Sequence, residues 1–138
     1  MVVQNSFNSK EKRMAGTSSG VEITQNGSDI DIVFYQGKTI NFEVIWGGDS
    51  PIDITGFDAK MHLREAASNT STIAEFNTTN SRITIGGADG KITVSMSATD
   101  SAALPIKSGV YDLELTDGSG NIHLVMSGNF MITAEVTK

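Results

Sequence analysis

The side chains in this 138-residue chain that have the capacity for chemistry are few. They are His62 and His123, the carboxylate pairs Asp29/Asp31 and Asp112/Glu114, and the run Thr116-Asp117-Gly118-Ser119-Gly120-Asn121. Each histidine stands between two apolar residues, Met61 and Leu63 for His62, Ile122 and Leu124 for His123, and neither has the spacing of a zinc motif. General acid–base work needs two carboxylates that converge across a cleft with separated pKa values. Residues at i and i+2 of a strand instead lie side by side on one face, about 7 Å apart, and the neighbours of these pairs suggest solvated surface. The triplets GGD and GSG lack the flanking pattern of a nucleophile elbow or a phosphate loop, and no long helical pattern follows either. With no cysteine, disulfides, thiolate metal sites and thiol nucleophiles are excluded. The sequence therefore assigns no catalytic residue, no metal ligand and no cofactor, and no small-molecule substrate is expected.

The run TDGSGN has two readings. Oxygen-bearing side chains at alternate positions resemble the start of a calcium loop. A loop opening at Asp117 would require Gly at its sixth position and a bidentate Glu at its twelfth, where Ile122 and Gly128 stand. The turn reading needs the apolar faces on either side to stay in phase, and Leu115 and Ile122 satisfy it across Asp117 to Asn121. The run is thus expected to be a hairpin turn, with Gly118 and Gly120 at positive φ; an ancillary calcium site completed by a distant carboxylate stays open.

The elements that would position these groups are strands. Period-two alternation places Ile30, Ile32 and Phe34 on one face of SDIDIVFY, and Ile40, Phe42, Val44 and Trp46 on one face of KTINFEVIW. The YQGK between them reads as a tight turn, making these two strands a hairpin. FDAKMHLRE places Phe57, Ala59, Met61 and Leu63 inward and His62 outward. Short strands are expected around 73–76 and 82–85, and KITVSM turns Ile92, Val94 and Met96 inward. Tyr111, Leu113 and Leu115, then Ile122, Leu124 and Met126, form the inner faces of the last hairpin. Phe130, Ile132, Ala134 and Val136 share a face at the end. The one helical element is SATDSAALP, capped by Ser97, with Asp100 in its first turn and Pro105 as a stop. Eight or nine short strands with almost no helix predict an all-β fold, an antiparallel β-sandwich of the Ig-like or jelly-roll kind.

Residues 1–19 show neither periodicity and end in AGTSSG, so they are read as a flexible N-terminal arm preceding a single sandwich domain at 20–138. The net charge of −6 divides into +2 over the arm, from Lys10, Lys12 and Arg13 against Glu11, and −8 over the rest. An acidic body without a basic stripe repels a phosphate backbone, so nucleic acid is not an expected partner. No stretch approaches 18 apolar residues and no apolar leader opens the chain, so no membrane partner is expected, and synthesis in a cytoplasm is.

The segments INFEVIW, PIDITGFDAKMHLR, DGKITVSMS and LPIKSGVYDLELTD, with a final strand closing the domain, fall within about residues 36 to 136. Together they resemble small virion proteins of tailed bacteriophages, most closely the N-terminal Ig-like domain of the upper baseplate protein family. The resemblance implies a non-enzymatic virion protein that attaches or joins particle components in the tail, baseplate or head–tail region through contacts with other virion proteins, as a homo-oligomer within the particle. Because the chain stops at Lys138, the receptor-binding extension of some relatives is expected to be missing. A capsid decoration or cement role is the alternative, and a carbohydrate-binding sandwich the further one, weakened because Trp46 and most Phe and Tyr residues fall on inward faces. The residues expected to carry such contacts are Val33, Ile45, Val110, Val125 and Met131, all on nominally outward faces, together with the arm cations Lys10, Lys12 and Arg13.

Overall fold

Alternating apolar residues bury one side of a strand only against a second layer, and this chain supplies that layer with a second sheet. In the computed structural model, which describes residues 2–4 and 12–137, the strands are β1 (Val2–Gln4), β2 (Lys12–Ser19), β3 (Val21–Asn26), β4 (Asp29–Tyr35), β5 (Ile40–Trp46), β6 (Asp58–Arg64), β7 (Ala74–Asn77), β8 (Ile83–Ile85), β9 (Lys91–Met96), β10 (Ser108–Thr116) and β11 (Ile122–Thr133). One sheet has the order β1-β2-β5-β9-β8, the other β3-β4-β11-β10-β6-β7. All pairings are antiparallel except β4 with β11, which run parallel. The fold is the expected all-β sandwich, and the order β2-β5-β9-β8 against β11-β10-β6-β7 matches the A-B-E-D and G-F-C-C′ sheets of immunoglobulin-type sandwiches.

The core lies between the sheets. Ile30, Ile32 and Phe34 from β4 meet Phe42 and Val44 from β5, Met61 and Leu63 from β6, and Ile92 and Val94 from β9, all almost fully buried. Phe34 and Phe76 stack with ring centroids 6.0 Å apart, and each such side chain contributes about 1.5–3 kcal/mol by leaving water. The short helix α1 (Ala98–Ala102) starts as expected, with the Ser97 hydroxyl accepting from the Asp100 N–H at 3.1 Å.

Four expectations are corrected. Residues 12–19 are a strand, β2, hydrogen-bonded to β5, with Met14 in the core. Its small and polar residues conceal the alternation, and what orders it is the open edge of β5. Only residues 1 and 5–11 of the expected arm lie outside the described residues. The chain changes sheets between β2 and β3 at Gly20 (φ 71°), where a Cβ would collide with the Thr39 carbonyl.

The second correction is that β4 and β5 form no hairpin: β4 belongs to the six-stranded sheet and β5 to the five-stranded one. The connection between them crosses the sandwich and is pinned from outside. Gln36 Nε2 donates to the Leu104 carbonyl at 2.7 Å, and the buried Ser101 hydroxyl donates to the Lys38 carbonyl at 2.7 Å. A tight turn and a sheet-crossing bend use the same Gly-containing sequence; which one forms is decided by these distant partners.

The third concerns the phase of β11. The β10–β11 register runs Leu113↔Met126 and then Glu114↔Leu124, so Val125 is an extra residue, a β-bulge. Val125 and Met126 are both buried, whereas Leu124 and Ile122, expected inside, are 56% and 59% exposed. Finally, β11 ends at Thr133, so Phe130 and Ile132 are in the core but Ala134 and Val136 are exposed beyond it.

The parallel seam between β4 and β11 is closed by one side chain. The buried hydroxyl of Tyr111 donates to the carbonyl of Ile30. Burial, and then the charges of Asp31 and Asp29, push the Tyr111 pKa far upward, so the group stays a donor. In Tyr111→Phe the Ile30 carbonyl loses that partner in a dry environment, at an expected cost of about 1–3 kcal/mol in chemical denaturation. An unchanged midpoint would show that water or a backbone amide replaces the hydroxyl.

Candidate functional site

The hairpin tip is built by Asp117. Its Oδ1 accepts from the N–H groups of Ser119 and Asn121, each at 2.9 Å, and its own N–H donates to the Asn121 carbonyl at 2.9 Å. Gly120 takes positive φ (87°), whereas Gly118 does not, a correction to the expected pair. Because the bulge reverses the phase of β11, His123 lies opposite the buried Leu115 rather than on the wet face. Its Nε2 is 3.1 Å from Asp117 Oδ2, and its ring lies 6.5 Å from Phe57 and 6.4 Å from Trp46. The His123 hydrogen bond first, with help from the Asn121 and Ser119 N–H groups, holds the Asp117 carboxyl down at about 2. Both carboxylate oxygens are thus engaged within the hairpin.

The remaining chemical groups lie on the outer face of the six-stranded sheet. His62 and Glu75 are cross-strand partners, with Nε2 to Oε1 at 2.8 Å, and Arg64 Nη2 lies 3.1 Å from His62 Nδ1. Asp31 Oδ1 accepts from the Asn129 N–H at 3.0 Å. Asp112 and Glu114 stand opposite His62 and Lys60 in the ladder but join no ion pair among the described residues. A shallow cleft of about 550 Å³ runs between these two rows. A row of carboxylates on β10, Asp112 and Glu114, thus faces a row of bases on β6, His62 and Lys60.

Beside this charged band lies an apolar one. Val33 and Met131 are register partners in β4 and β11, and Val110 sits one row away on β10, opposite Asn129. These three line a second cleft of about 640 Å³, rimmed by Asp31 and Glu65. Met131 is 52% exposed and the two valines are half-buried. The outward placement of Val33, Val110 and Met131 is therefore what the structure has. Val125 and Ile45 are buried instead, at 1% and 8% exposure. The bulge takes Val125 inward, and at Ile45 the chain after β5 turns back, the Gly48 N–H bonding to the Ile45 carbonyl. Of the arm cations, Lys12 and Arg13 begin β2, with Arg13 Nε donating to the Gly48 carbonyl at 3.3 Å, and Lys10 lies outside the described residues.

Sequence reasoning missed Ile122 and Leu124 as surface residues. Their only signal is the unbroken apolar triplet Leu124-Val125-Met126, which a strand with one wet face accommodates only by a bulge. Neither protein-family models nor curated proteins give a match to this chain.

The turn carries its own pH dependence. A carboxyl whose folded pKa lies below its unfolded one stabilises the fold above the unfolded value and ceases to as pH falls through the folded one. Asp117 thus contributes stability at neutral pH that is lost between about pH 4 and about pH 2. In Asp117→Asn the thermal midpoint is expected to be lower at pH 7 and to fall less steeply over that window; two parallel curves would contradict the assignment.

Proposed function

We propose that this chain is a non-enzymatic structural protein of a tailed-phage particle, which joins or attaches particle components through the outer face of its six-stranded sheet. The observation that carries the reading is the apolar cleft of Val33, Val110 and Met131 on an otherwise charged, exposed face. A patch of this kind, apolar at its centre and polar at its rim, is the usual anatomy of a protein contact. The resemblance of PIDITGFDAKMHLR and LPIKSGVYDLELTD to virion sandwich domains supplies the setting, in the tail, baseplate or head–tail region. Other virion proteins and further copies of the chain are its partners. Capsid decoration uses the same surface in another place. The carbohydrate reading is less favoured, because Trp46 and Phe57 pack against the core with His123 between them rather than forming an open aromatic platform.

Light scattering on the purified protein, with imaging of particles made with and without it, tests the proposal. Self-association or an altered particle is expected, and Met131→Glu should reduce incorporation by about tenfold or more, the scale of an interface anchor. A strictly monomeric protein together with unchanged particles would overturn it.

A further inference from the structure

The ladder between β4 and β11 stops abruptly. It covers only Phe130 to Thr133 on β11. At the next residue, Asn129, the N–H is taken by the Asp31 side chain instead of by a strand carbonyl, and the Ile30 carbonyl is taken by the Tyr111 hydroxyl. Below this point, from Ile122 to Ser127, β11 has β10 on one side and, among the described residues, no strand on the other. An edge of this kind presents backbone donors and acceptors in an extended array.

Two further features mark the same edge. Ile122 and Leu124, at alternate positions, project outward and are more exposed than any other large apolar strand residue described. Along the same edge stand carboxylates without ion pairs among the described residues: Glu114 opposite Leu124, Asp112 opposite Ser127, and Asp29, at the start of β4, which lines a cleft with Ser127. The nearby cation without an ion pair among the described residues is Lys60, opposite Glu114 in the ladder.

We propose that the edge at Ile122–Ser127 receives an extended, cationic segment of a partner protein as an added strand. Backbone bonds would supply the pairing, as in other strand-addition complexes. Apolar residues of the segment would lie beside Ile122 and Leu124, and its Lys or Arg residues would meet Asp29, Asp112 and Glu114. A second copy is the poorer occupant, because edge-to-edge pairing would bring the same carboxylates together. The inference rests on the protein-contact reading and names the partner's chemistry.

The test uses the purified protein and a short synthetic peptide alternating valine with lysine, followed by fluorescence anisotropy and amide chemical shifts. Binding is expected with shifts centred on 122–127. Leu124→Lys, at an already exposed position, should weaken it by about tenfold or more while the unfolding midpoint stays put; Ile122→Lys is the second variant. A peptide with glutamate in place of lysine should not bind. The proposal is overturned by no binding, by shifts spread over the acidic surface without that centre, by unchanged affinity in both variants, or by concentration-dependent shifts at 122–127 without peptide, which would make a second copy the occupant. No particle enters this experiment, so its failure is separable from failure of the virion reading.

Discussion

The hydrogen bond from the Tyr111 hydroxyl to the Ile30 carbonyl is the point on which this sandwich turns. Tyr111 is on β10 and Ile30 on β4, with β11 lying between those strands in the sheet, and the bond spans 81 positions of sequence. It can form only because Gly128 has no side chain, since a Cβ there would collide with the Ile30 carbonyl. A buried carbonyl without a partner is costly, so the hydroxyl substitutes for the backbone amide that a longer ladder would have provided. The same contact therefore joins β4 to the sheet and ends its pairing with β11.

That ending shapes the exposed face. Where β4 and β11 run together, Val33 and Met131 lie side by side and form the apolar cleft with Val110. Where they part, β11 has no strand on that side among the described residues, and Ile122 and Leu124 lie in solvent. Between the two apolar regions runs the charged band from Asp29 to Glu75. A rigid two-sheet core holds this pattern in place, and the short helix and the sheet-crossing connection, tied by Gln36 and Ser101, stiffen the opposite end.

Much of this was legible in the residues, and the remainder was not for definite physical reasons. Alternation in DIDIVFY, DAKMHLR, KITVSM and VYDLEL identified the inner face of β4, β6, β9 and β10, because one buried face imposes a period of two. The cap of α1 was equally local. Pairing partners were less accessible: a Gly turn between β4 and β5 suits a hairpin or a crossing, and only Leu104 and Ser101, more than sixty positions away, decide it. At the surface, Val33, Val110 and Met131 were readable from parity alone. Val125 was not, because a bulge shifts parity within a strand without changing composition. Ile45 was misplaced because parity says nothing of the chain that turns back after the strand. Strand β2 escaped because its only large apolar residue is Met14.

Residue-resolved amide hydrogen exchange on the free protein tests most directly whether the β4–β11 ladder ends where Tyr111 meets Ile30. The amides of Phe130 to Thr133 that point toward β4 are expected to be among the slowest, and those of Ile122 to Ser127 that point away from β10 to exchange rapidly. Protection running unbroken from Ile122 to Thr133 on that side would contradict it.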